Sequence, residues 1–102
     1  MLSPQRLYVN GTEVKIRAYS EARAEEIIKI QTDINKYIDE NPDATFGDEA
    51  VRKLRAKWWK RKADVLWDAG KELPLSFFED KEFESQKLKE TEDFFFAHAN
   101  YL

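Results

Sequence analysis

The sequence predicts a small α+β domain, a β-hairpin followed by three α-helices in the order ββααα. Three observations carry that expectation. Asn10-Gly11 separates two short segments of alternating polarity. Two later stretches repeat their apolar residues at helical spacing. Aromatic residues make up 14% of a chain of 102 residues, enough for one modest core with no break into domains.

The hairpin is expected over about residues 6–18. Both residues of a two-residue turn must tolerate positive φ, which Asn10 and Gly11 do. Such a turn sets Val9 opposite Thr12 and Leu7 opposite Val14. Leu7, Val9, Thr12, Val14 and Ile16 then share one face, and Arg6, Tyr8, Glu13, Lys15 and Arg17 the other. A two-stranded ribbon is not stable alone in water, so its apolar face must be covered.

The first helix is expected over about 20–40, with Ser20 as N-cap and Asn41-Pro42 as its end. Ala24, Ile27, Ile28, Ile34 and Ile38 form its stripe, widened by Ile30 and Tyr37. The second is expected over about 46–69, from a capping box at Thr45 to a C′ glycine at Gly70. Its core arc reads as Val51, Leu54, Trp58, Val65, Leu66 and Ala69, with Trp59 at the edge. The third is expected over about 76–99 from a capping box at Ser76.

Chemistry is bounded mostly by exclusion. With no cysteine and His98 as the single histidine, the usual zinc sets and thiol nucleophiles are absent. Asp39-Glu40-Asn41-Pro42-Asp43 begins like a calcium loop, then places Ala44 and Ala50 where glycine and a bidentate glutamate are required. The glycines are scattered and build no phosphate loop. No enzyme and no cofactor are therefore expected. No apolar run reaches membrane length and Met1–Arg6 lacks signal-peptide order, so a cytoplasmic protein is expected.

Two segments stand out as candidate contacts. Between Arg52 and Lys62 lie seven basic residues and no acid, in a chain of net charge −3. Lys53, Lys57, Lys60 and Arg61 lie on the polar half of that helix and could meet phosphates or a partner's carboxylates. Arg55 and Lys62 fall inside the apolar arc, where they must snorkel or pair with acids of the third helix. At the other end, Phe94, Phe95 and Phe96 sweep about 200° of helix. Either the core clasps them from two sides, or with Tyr101 and Leu102 they form a protein-binding patch. The expectation is that at least one meets something outside its own core.

The hairpin Leu7-Tyr8-Val9-Asn10-Gly11-Thr12-Glu13-Val14-Lys15-Ile16 and the later Lys57-Trp58-Trp59-Lys60-Arg61-Lys62-Ala63 resemble small tail-assembly proteins of bacteriophages. The resemblance covers about the first two-thirds of the chain and rests on pattern. It implies a non-enzymatic, chaperone-like assembly protein acting by protein–protein contact, in the host cytoplasm or the virion; self-association is expected from the C-terminal aromatic patch. The alternatives are a nucleic-acid-binding accessory protein using the basic face of the second helix, and a small acidic inhibitor.

Overall fold

In the computed structural model, which describes residues 6–45, 47–68 and 70–97, a two-stranded antiparallel sheet is joined by helices into an α+β fold. Strands β1 (Arg6–Val9) and β2 (Thr12–Lys15) pair with Val9 opposite Thr12 and Leu7 opposite Val14, the register the turn dictates. Asn10 and Gly11 take φ of 50° and 79°. Val9, Val14 and Ile16 are buried, whereas Tyr8, Glu13 and Lys15 are exposed.

Helix α1 spans Glu21–Glu40. The Ser20 side chain accepts from the Arg23 backbone N–H, and the Asn41 N–H closes the other end on Tyr37 and Ile38. Ala24, Ile27 and Ile30 are buried. Ile28 lies one residue, or 100°, round from Ile27 and is exposed, and Ile38 is exposed in the last turn.

Helix α2 spans Glu49–Leu66, shorter at both ends than the sequence suggests. Asp48, not Thr45, is its N-cap residue, and no side chain caps it. Val51, Trp58 and Leu66 are buried as the expected arc has them, but the buried line as a whole is turned from that arc by roughly 60°. Ala56 and Ala63, seven residues apart, are fully buried, while Leu54 and Val65 are half-buried. Small side chains define this face because other backbone segments approach it closely. Gly70 lies in a 3-10 turn, Gly70–Glu72, pressed on α2, and a Cβ there would fall 2.0 Å from the Ala63 carbonyl oxygen. Gly70 is thus a packing residue and not the helix cap.

The cap is Trp67, which turns extended and forms a bridge with Ile16. The Arg17 N–H donates to the Leu66 carbonyl at 2.7 Å, and the Asp68 N–H to the Lys15 carbonyl at 3.0 Å. The segment after α2 thereby extends the hairpin's edge, and the fully buried Trp67 ring enters the core. Its indole N–H donates to the Thr91 hydroxyl at 3.1 Å, which donates to the Leu88 carbonyl.

The expected third helix divides into α3 (Leu75–Glu79) and α4 (Ser85–Ala97). Pro74 occupies the N-cap of α3, so Ser76 caps nothing. At Asp80 the backbone is extended and its carboxylate accepts the Glu82 N–H at 2.8 Å, a local turn that competes with helix continuation. The break lets Phe83 fold back into the core. With its amide oriented so that the nitrogen faces the Glu82 carbonyl at 2.7 Å and the oxygen faces the Phe83 N–H at 3.2 Å, the Asn10 side chain holds this loop.

Three substitutions separate packing from turn chemistry. Gly70→Ala should destabilise by about 1–3 kcal/mol because the added methyl overlaps backbone atoms. Gly47→Ala, with open space around its Cβ, should stay within about 0.5 kcal/mol of the parent in the same thermal melts. Asn10→Gly keeps a residue that accepts positive φ but removes both amide bonds to the loop. About 1 kcal/mol of stability should be lost in denaturant titration.

Candidate interaction surfaces

An aromatic series runs from the core to the surface along one side of α2. Trp67 stacks on Phe78 at 6.2 Å between centroids, Phe78 meets Phe83 at 5.1 Å, and Phe83 meets Trp59 at 5.0 Å. Trp59 is half-buried, and the Arg55 guanidinium lies over its ring at 4.8 Å. Cation–π contact keeps the Arg55 charge at the surface while its stem lies along apolar atoms.

Trp59, Phe78 and Phe83 of this series line a cavity of about 260 Å³ between the first half of α2 and the α3–α4 loop. Arg52, Lys53 and Arg55 stand on the α2 wall, and Glu79, Asp80 and Lys81 on the facing wall. The Asp80 carboxylate is held by the Glu82 N–H, and Glu49 on the rim lies 3.6 Å from Lys53. Among the described residues, neither Arg52 nor Lys81 has a carboxylate within ion-pair distance.

Of the remaining basic residues of α2, Lys60, Arg61 and Lys62 are committed elsewhere. Lys60 donates to Asp64 at 3.0 Å and to the Gly70 carbonyl at 3.3 Å. Arg61 meets Asp33 of α1 at 3.0 Å, and Lys57 is exposed. Lys62 is buried, pairing with Glu92 of α4 at 3.0 Å and donating to Gln31 of α1 at 2.8 Å. Its expected pairing with the third-helix region is present, and it ties three helices at one point. The Arg55 guanidinium lies over Trp59.

A second, open cleft of about 290 Å³ lies between α1 and α4. Ile27, Ile28 and Phe96 give its apolar lining, with Lys89, Glu92 and Asp93 at the edge. Ile28 is 58% exposed and Phe96 half-buried. The Asp93 carboxylate, by hydrogen bond and charge, holds the Lys89 ammonium above its ordinary 10.5, aided by Glu92 and opposed by slight burial. A lysine raised in this way contributes its stability below 10.5 and loses it as pH climbs through the folded-state value.

The C-terminal aromatics separate. Phe95 is 1% exposed and packs on Tyr19 at 5.1 Å, so it is a core residue with no surface to offer a partner. Phe94 and Phe96 are half-buried against that core. Tyr101, Leu102 and His98 lie outside the described residues. Sequence reasoning missed Ile28 as a surface residue, and missed Arg52, Lys81 and Phe83 as parts of one cleft. The i, i+4 spacing of Arg55 and Trp59 was a usable signal for that cleft, whereas the break after α3 was not visible. Among the described residues, no group of acidic or histidine residues is arranged to hold a metal ion and no helix is long and apolar enough to cross a membrane.

The buried pair gives a direct stability test. Lys62→Met leaves Glu92 with only Lys89, 3.8 Å away, and should cost about 3 kcal/mol, the lower end for breaking a buried pair. Adding Glu92→Leu to Lys62→Met should recover most of that loss in denaturant melts. Comparison with protein-family models, with curated proteins and with solved structures finds no match to this chain.

Proposed function

We propose that this chain is a non-enzymatic assembly protein that acts by protein–protein contact and associates with its own copies through the α1–α4 cleft. The observation that carries this reading is Ile28, a β-branched apolar residue 58% exposed beside the half-buried Phe96. A contact between identical surfaces must be self-complementary. The cleft fits that requirement, since Lys89 and Asp93 bring both signs of charge to the edge of one apolar centre. Each buried Ile or Phe side chain contributes about 1.5–3 kcal/mol, and a two-fold contact buries each twice. Lost rigid-body freedom offsets much of this gain, so the self-association is weak. The resemblance of the hairpin and of Lys57–Ala63 to tail-assembly proteins belongs to the same functional class.

The nucleic-acid reading loses support where carboxylates engage the basic heads. Lys60 and Arg61, two of the four residues it rests on, are paired within the chain. The acidic-inhibitor reading is weakened likewise, because Glu92 and Asp93 are both paired with lysines.

Sedimentation equilibrium from about 10 µM to about 1 mM should show a rise in average mass toward the dimer. Ile28→Glu should remove that rise while leaving the circular dichroism spectrum unchanged, since the side chain is mostly solvated. A parent chain that stays monomeric across this range, or an Ile28→Glu chain that associates as well as the parent, overturns the reading.

A further inference from the structure

A different surface, sharing no residue with the α1–α4 cleft, carries a second partner site. We infer that the cavity between α2 and the α3–α4 loop binds an acidic segment of another protein that presents one aromatic side chain.

Size sets the first limit. A volume of about 260 Å³ falls just below the usual range of small-molecule sites and suits a single large side chain. The floor sets the second. Trp59 is half-buried, rests on Phe83, and carries a cation on its face. A ring entering here finds an aromatic surface already supported from below, and needs no opening of the core.

Charge sets the third limit. Arg52 and Arg55 stand one turn apart on the α2 wall, with Lys81 on the facing wall. Although the chain holds 20 acidic residues, none of those described lies within ion-pair distance of Arg52 or of Lys81 across the cavity. A carboxylate beside the inserted ring would give these two cations an acidic partner. Glu49, Glu79 and Asp80 are also on the rim. They disfavour a continuous phosphate backbone running across the site, while leaving room for separate carboxylates directed at Arg52 and Lys81. The site therefore favours an acidic peptide over a nucleic acid strand.

Fluorescence anisotropy with a labelled, capped Glu-Asp-Phe-Glu-Glu peptide tests this on the full chain. Saturable binding is expected, weakening about tenfold in Arg52→Glu and again in Lys81→Glu. Replacing the peptide's phenylalanine by alanine should weaken it by a similar factor, and Ile28→Glu should leave it unchanged, which separates this site from the self-association cleft. Lys81 is exposed and Arg52 half-buried, so unchanged melts of both variants are needed to show that they fold. The inference is overturned by absence of saturation at millimolar peptide. It is equally overturned by binding indifferent to Arg52→Glu and Lys81→Glu, or by a single-stranded oligonucleotide that binds the same site more tightly than the peptide.

Discussion

Trp67 is the residue on which the rest of this fold depends. Its backbone ends α2 and continues the edge of the hairpin, while its ring fills the centre of the core. A two-stranded ribbon cannot persist alone in water. Here the reciprocal bonds of Arg17 with Leu66 and of Asp68 with Lys15 give it a third line of backbone partners. The Arg17 side chain reinforces that line by donating to the Trp67 carbonyl at 3.0 Å. The indole N–H then reaches Thr91 on α4, so one residue joins the sheet, the end of α2 and the last helix. A buried indole without such an acceptor would carry a substantial desolvation penalty.

That central placement explains why α2 packs through its alanines. With Trp67 and Gly70 folded back along the helix, only small side chains fit between the chain segments at Ala63, and Ala56 continues the same line. Leu66 and Val51 are buried beside that line, and the two tryptophans lie to either side of it. Trp58 meets Tyr37 of α1 on one side, and Trp59 meets Phe83 on the other. Placement of Trp59 at a flank, half-buried, makes it the floor of a surface cavity instead of a core residue.

The polar groups follow the same logic. Lys62 lies where α1, α2 and α4 converge and has both Glu92 and Gln31 as partners. No buried side-chain nitrogen or oxygen among the described residues lacks a hydrogen bond. Such a cluster contributes less to net stability than an apolar replacement could, but it disfavours other alignments of the three helices because each would bury an unpaired charge. The hairpin turn has a comparable second task. Asn10 supplies the left-handed backbone that the turn requires and the amide that holds the α3–α4 loop. One wall of the aromatic cavity is therefore positioned by a residue some seventy positions earlier.

Local chemistry determined much of this protein from sequence alone. Asn10-Gly11 and strict alternation gave the hairpin its register, Ser20 and Asn41-Pro42 bounded α1, and the misplaced Lys62 announced a partner among the later acids. Each of these depends on neighbours in sequence or on the cost of an isolated buried charge, which holds in any fold. The rotation of α2 was not legible, because hydrophobic periodicity favours the bulkiest residues and is silent on close backbone approach. Nor was the division into α3 and α4, since Ser76 and Asp80 both offer local turns and only the burial of Phe83 and the bond from Asn10 select between them. Both candidate surfaces follow from those two decisions. Ile28 and Phe96 flank an open cleft, and Arg52, Trp59 and Lys81 converge on one cavity, because long-range packing chose which faces to bury, and burial is a property of the assembled chain.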